Sequence, residues 1–499
     1  MIGFYSSFVI PDTTMLTGKN QANIRYVNKE YLIVEPKKSN FSRNRRIVLL
    51  GLGSMALAAA MVKIGHRKTH YRHQQIILKT GTFGSLDPAS IQDTYRLRIT
   101  PISLEIADGL ILPTIGYDGG SPGPVLRMRA GVPTALEIFN QSAHPETVHL
   151  HAQHVLAEVD GALEEGSPAI APGGILKFLF KPKPTGTHWY HTHAHTNGGL
   201  YTGQQGVLIV EGKDDPGNYD REVILITHDW HELVRANPGF DEKKPTFSIN
   251  GKALGFGEPV RVRNGERVLF RIINGNARQE IYLALPGHRF EIVALDGNPV
   301  PKLQTVEVLR MGSGERLDAI VEMNSPGVWI LGDIRHDRRD RGLGIVVEYA
   351  NKAGQPQWQG SFKQNWDYTL FGGSGTVKKP DEIIEMVFNW GWGWGNPWQV
   401  NGQPFWDQDN YQLKIGRRYR LVFRNQSDEL HPLHLHRHSF ELTNIEGKPT
   451  SGIIKDTVCI EPNGHVEVDF IADKPGLSLF HCHMQNHMDD GFMCLFETI

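Results

Sequence analysis

Three histidines and one cysteine crowd into seven residues near the end of this 499-residue chain: His481-Cys482-His483, then His487. Successive side chains along a strand face opposite sides, so His481 and His483 share a face and Cys482 takes the other. A residue able to hold one metal is thereby joined covalently to ligands for others, an arrangement suited to moving electrons. Together with the distant His431, Cys482 and His487 make a His2Cys donor set of the kind that suits electron-transfer copper. A lone cysteine is more often a small buried hydrophobe. Its neighbours change that balance, because further His-x-His pairs stand at His149/His151, His191/His193 and His434/His436. Each pair places two imidazoles about 6.5–7 Å apart on one strand face. One such pair is weak evidence; four, one of them bracketing a cysteine, are strong.

Thr147-Val148-His149-Leu150-His151, Gly186-Thr187-His188-Trp189-Tyr190-His191-Thr192-His193, His431-Pro432-Leu433-His434-Leu435-His436, and His481-Cys482-His483 through His487 resemble, in order, four copper-binding signatures. These are the signatures of three-domain multicopper oxidases, the family of laccases, bilirubin oxidases and bacterial copper or iron oxidases. The resemblance runs from about residue 93 to the C-terminus. It implies four copper ions: a type 1 copper on Cys482, His431 and His487, and a type 2 copper on His149 and His434. Of the type 3 pair, one copper takes His151, His191 and His483, and the other His193, His436 and His481. Dioxygen is the implied acceptor, and phenols, aromatic amines, Fe2+ and Cu+ all remain open as donors.

Several second-rank positions follow from the same resemblance. Asp160, eleven residues after His149, matches an acidic position that the family uses to feed protons to oxygen; an Asp-Gly turn is the structural alternative. The glutamate that some bacterial relatives carry after the last type 1 histidine is Met488 here. The axial position of the type 1 copper falls on Phe492, which cannot coordinate and so implies a high potential; a one-residue bulge would bring Met493 there instead. Ala152 and Arg437 replace glycines that commonly follow the first and third signatures, which puts the local backbone shape in question.

An internal repeat supports the same architecture without the family. Gly131 to Asn140-Gln141-Ser142 recurs as Gly416 to Asn425-Gln426-Ser427, each spanning nine residues from Gly to Asn, with His149 and His434 nine further on. A third copy runs from Gly265 to Asn274, but Leu283 and Leu285 occupy its His positions. Ligands on the first and third modules alone predict that those two meet and share a cluster while the second spaces them.

The elements that carry these residues read as all-β. Runs such as Arg267-Val268-Leu269-Phe270-Arg271-Ile272-Ile273 and Tyr419-Arg420-Leu421-Val422-Phe423 lie between turn signals at Asn264-Gly265, Pro326-Gly327 and Pro475-Gly476. Short, regularly spaced strands predict sandwiches, and the resemblance implies three cupredoxin-like Greek-key β-sandwich domains. We place them at 93–213, 214–350 and 380–499, with a joining segment at 63–92 and a linker at 351–379. The segment Trp390-Gly391-Trp392-Gly393-Trp394-Gly395 is either an aromatic loop facing substrate or a packed hairpin.

Composition mainly excludes. With 52 Lys+Arg against 54 Asp+Glu the formal charge is −2, which offers no electrostatic case for nucleic acid. Cys459 and Cys494 could pair or stay as buried thiols. Near the N-terminus, Ser42-Arg43-Asn44-Arg45-Arg46 leads into an uncharged run from Ile47 to Val62. That run is shorter than the roughly 20 residues of a membrane-crossing helix. It resembles a twin-arginine export signal, with an uncleaved anchor as the alternative, and either one places the copper domains in the periplasm or outside the cell. A copper-buffering protein without turnover is the alternative function. A zinc hydrolase is disfavoured, since a cysteine between two histidines that face away from it makes a poor tetrahedral site.

Overall fold

A computed structural model describes residues 78–194, 198–213, 216–236, 244–391 and 397–499, with the backbone of two short strands at Ile24–Tyr26 and Leu32–Val34. Apart from those two strands, the leader over 1–62 lies outside the described residues, as do Asp214 and Asp215 at the first domain break and Trp392 to Gly395.

The third unit shows how the ligand strands are held. One sheet runs in the order Trp398–Val400, Glu382–Trp390, Arg418–Asn425, His465–Ile471, Phe440–Ile445, Lys448–Lys455. The second runs Tyr411–Leu413, Met493–Thr498, Gly476–Cys482, His431–Leu435, Thr457–Ile460. Alternating apolar residues of the two sheets, among them Leu421, Phe423, Val468, Leu433, Phe480 and Phe496, interlock in a fully buried core. Each such side chain contributes about 1.5–3 kcal/mol on burial. The middle unit repeats both sheet orders strand for strand, and the first unit pairs a five-stranded with a four-stranded sheet. The described residues thus form three cupredoxin-like β-sandwiches, with only short helices between their strands.

The sequence repeat has a mechanical meaning. Gly131, Gly265 and Gly416 all turn the chain with positive φ, at +72°, +83° and +80°, which glycine adopts without steric penalty. Nine residues later each Asn clamps its loop in the same way. The Asn140 amide donates to His144 O and Ile170 O, Asn274 to Gln279 O and Met311 O, and Asn425 to Glu429 O and Glu461 O. Each Asn carbonyl accepts from the backbone two residues on, at Ser142, Asn276 and Ser427. In the middle unit Leu283 and Leu285 are fully buried in the core, so apolar packing fills the space that the outer units give to imidazoles.

The stretch between the second and third units is strapped down at several points. The Arg339 guanidinium lies 3.9 Å from the Trp358 ring centre, Tyr368 donates its hydroxyl proton to Glu315, and Lys448 pairs with Asp367 at 2.8 Å.

Candidate metal centre

His431 opens the strand His431–Leu435, and Cys482 ends Gly476–Cys482, where it stands opposite Leu433. His487 sits on the single helical turn Gln485–Asp489 that follows. This brings Cys482 Sγ to 3.7 Å from His431 Nδ1 and 3.6 Å from His487 Nδ1, with the two nitrogens 3.1 Å apart. The centre of that triangle lies about 2 Å from each atom, a metal–ligand distance for N and S donors. All three residues are buried. Burial pushes the Cys482 thiol up and, together with His487, pushes His431 down to about 2. Both side chains are therefore neutral in isolation, and a cation is what would draw the thiol to thiolate.

The wall of this site is aromatic. The Phe492 ring lies 4.9 Å from that of His431 and is fully buried. Met493 stands opposite His481 and packs instead with Phe405, Leu479, Met488 and Leu495. Of the two, the side chain beside His431 is therefore the phenyl ring. Outward, the two histidines differ. His431 Nε2 meets the buried Ser427 hydroxyl at 2.9 Å, whereas His487 Nε2 meets Glu429 Oε2 at 3.1 Å, and the Glu429 side chain is 44% exposed.

On the opposite face of the same strand, His481 and His483 enter a second cluster built between the first and third units. Cross-strand register sets His149 against His191 and His434 against His481. Ligand-capable atoms gather in three groups, each within 4.8 Å: His149/His151/His434, His151/His191/His483, and His193/His436/His481. The halves interleave, with His149 stacked on His436 at 4.0 Å and His151 on His434 at 3.8 Å.

Most of these rings are fixed by one nitrogen. The Nδ1 atoms of His149, His191, His434 and His481 bond to backbone oxygens of Asp160, Thr192, Asp456 and Cys482, all at 2.9 Å. His483 Nδ1 meets Ser313 Oγ at 3.1 Å and His436 Nδ1 meets Asp160 Oδ2 at 2.8 Å. His151 is held by Nε2, 3.1 Å from Asp456 Oδ1. The second nitrogens of His149, His151, His191, His434 and His483 are buried without a hydrogen-bond partner. Each would cost about 1–3 kcal/mol if left bare, and a shared set of cations removes that cost. The donor set fits metal ions, and the anchoring partners fix which nitrogen faces them.

Carboxylates surround the cluster. Asp160 closes the short helix Ala157–Asp160, and Gly161 turns the chain away at φ +88°. A Cβ at Gly161 would meet Val148 O at 1.9 Å, so the turn is what allows the carboxylate to approach. Asp160 is both turn and cluster neighbour. Its Oδ2 also lies 3.0 Å from His149 Nδ1, and Oδ1 is buried without a partner.

Three further carboxylates were not picked out by spacing. Glu165 Oε1 lies 3.4 Å from His436 Nδ1 and accepts from Leu479 N; burial and nearby Asp160 hold its carboxyl well above the usual range. Glu164 Oε2 lies 3.3 Å from His193 Nδ1. Asp456 is buried, yet the Arg316 guanidinium holds it well below the usual range. Ser313 and Arg316 belong to the middle unit, which therefore supplies contacts around the cluster as well as spacing. Cys459 and Cys494 are free and buried; the Cys459 thiol lies 3.3 Å from Glu315 Oε2.

Comparison with known proteins agrees with this geometry. Family models described as multicopper oxidase match residues 99–215, 221–351 and 378–499. The multicopper oxidase MmcO of Mycobacterium tuberculosis is 27% identical over 449 residues, covering 81% of this chain and 87% of that protein. Laccase-3 of Thanatephorus cucumeris is 22% identical over 525 residues, covering 80% and 91%. The crystal structure of Fet3p, a multicopper oxidase that functions in iron import, superposes with a TM-score of 0.71 at 18% identity over 82% of this chain and 90% of that one.

Proposed function

Because the chain belongs to the multicopper oxidase family, in which oxidation of a reducing substrate is coupled to reduction of dioxygen, we propose that it is a laccase-like enzyme. It holds four copper ions, one at Cys482, His431 and His487 and three among the eight clustered histidines. The observation that carries this assignment is the set of buried imidazole nitrogens without partners, all directed into one space. When bound, copper supplies one-electron redox chemistry at the first site and four-electron reduction of dioxygen to water at the second.

The chain's own residues supply the rest. His487 is the port, since its outer edge meets a half-exposed carboxylate while that of His431 is capped by a buried serine. Cys482 links the two sites covalently to His481 and His483. The 2.9 Å contact of His481 Nδ1 with Cys482 O adds a hydrogen-bonded shortcut. Asp160 holds His436 through Oδ2 and leaves Oδ1 without a partner, placed to hold a proton and pass it inward.

For the donor, Phe492 beside His431 supports a high potential and hence phenols or aromatic amines. Glu429 supports a second reading, because an exposed carboxylate at the port attracts cations such as Fe2+. We also propose export from the cytoplasm on the strength of the Arg45-Arg46 leader. Copper analysis, oxygen uptake and steady-state kinetics on a phenol, Fe2+ and Cu+ test the assignment. A protein that retains four coppers and consumes no oxygen with any of the three would be a copper store instead.

A further inference from the structure

Trp390, at the start of the tryptophan-rich segment, borders the Cys482 site. Trp390 ends the strand Glu382–Trp390 and stands directly opposite Trp398. Their ring centres are 4.0 Å apart. Trp398 is fully buried, 4.7 Å from the His487 ring and 4.6 Å from that of His431. Trp390 is 38% exposed. His487 is only 2% exposed, with its outward nitrogen covered by Glu429. Among the described aromatic residues around this site, Trp390 is the one that carries ring contacts from solvent to the histidines. Packing alone does not account for the pair, since the Trp398 indole N–H is buried without a hydrogen-bond partner, an expense that a phenylalanine would avoid.

We infer that Trp390 is the docking platform for a planar aromatic one-electron donor, and that Trp390 and Trp398 together couple that donor to His487. This rests on the oxidase function proposed above. A ring laid on His487 would have to displace Glu429, whereas a ring laid on Trp390 gains aromatic contact at once. Electronic coupling falls steeply with the width of an empty gap, and two π contacts bridge it. A phenol docked there gives up one electron through the two indoles to the copper at Cys482 and releases its hydroxyl proton to water, leaving a phenoxyl radical.

The test uses the oxidised holoenzyme. Binding of 4-nitrophenol, which is hard to oxidise, is measured by equilibrium dialysis, and kcat/KM for 2,6-dimethoxyphenol by oxygen uptake. Trp390→Leu keeps apolar bulk but removes the π face. It should weaken 4-nitrophenol binding at least about fivefold and lower kcat/KM about tenfold, as loss of an aromatic stacking platform does elsewhere. Trp390→Phe, which retains a ring, should bind within about twofold of wild type. Trp398→Phe should bind normally yet reduce the copper more slowly under anaerobic mixing with the phenol. Trp358→Ala, in the linker between the second and third units, is the control. Wild-type binding and turnover in both Trp390→Leu and Trp390→Ala would overturn the docking inference while leaving the oxidase intact. Absence of oxygen uptake by wild type with every donor would instead overturn the function on which it rests.

Discussion

Ala152 and Arg437 occupy equivalent positions, one residue past the His149/His151 and His434/His436 pairs, and share a left-handed backbone with φ of +66° and +64°. The family's usual glycine reaches this conformation freely; these side chains do not. The backbone path is kept and the strain is absorbed locally, at about 1–2 kcal/mol per residue. Arg437 recovers some of it by donating to the backbone oxygens of Val155, Leu477 and Pro475. Ala152 makes no comparable side-chain contact. Ala152→Gly should therefore stabilise the protein by about 0.5–1 kcal/mol, the relief of strain less the entropy of glycine. Arg437→Gly should destabilise it by about 3 kcal/mol or more, because one buried and two partly buried carbonyls lose charged donors. Paired thermal melts of the two variants decide the matter, and equal signs would refute the account.

Cys482→Ser should remove the intense blue thiolate-to-copper absorption and oxidase turnover while lowering the copper content by one ion per chain. Serine keeps the strand but lacks the soft donor, and none of the eight clustered histidines depends on the Sγ atom. Elemental analysis beside the visible spectrum provides the check.

Asp160→Asn should slow reoxidation of the reduced enzyme by oxygen about a hundredfold or more, within the usual range for a lost general acid. Anaerobic reduction at the Cys482 site should be unaffected. Asparagine preserves the helix end and much of the hydrogen bonding, so stopped-flow traces of the two half-reactions separate proton supply from a structural role. Unchanged reoxidation would leave Asp160 only its turn.

Phe492→Met should lower the potential of the Cys482 copper and with it the turnover of weakly reducing phenols. A tenfold shift in the one-electron equilibrium corresponds to about 59 mV. Met493→Leu, in its separate cluster with Met488 and Leu495, should change the potential little. Redox titration of both variants would expose the reverse pattern.

Acid should loosen the fold through histidines that are not copper ligands. Burial pushes His188 and His228 each down to about 4. Unfolded, they take up protons from about pH 6.5 downward. The unfolded chain thus binds more protons between these limits, so stability is full above pH 6.5 and is lost as pH falls toward 4. Each contributes up to about 3 kcal/mol to that loss. Melting temperatures across pH 4–7 should fall toward acid, and His228→Gln should flatten the slope.

The grouping of the candidate ligands was legible in the sequence because each motif is local: alternation on one strand decides which face His481, Cys482 and His483 address. The Asn140, Asn274 and Asn425 clamps were legible for the same reason, as a repeated spacing with one mechanical job. Glu165, Asp456 and Ser313 were not, since each takes its role from contact across a domain boundary with a histidine far away in the chain, and Glu164 was not, since only the folded first unit brings it to His193. Asp456, for example, meets His151 across 305 positions. Glu429 and Trp398 escaped notice likewise: nothing about either residue alone marks it as the neighbour of His487.

The interleaving of His149 on His436 and of His151 on His434 has a consequence for how the molecule is assembled. Every histidine trio in the cluster draws on both the first and the third unit, so no trio is complete until nearly the whole chain has been synthesised and its two ends have closed on each other. Closing so long a loop is costly in entropy but only weakly dependent on its length. The ions that bind there act as a clasp on the closed form. Metal occupancy and the docking of the outer units are then one equilibrium, and a chelator strong enough to strip the cluster should let those units part while each sandwich keeps its own core.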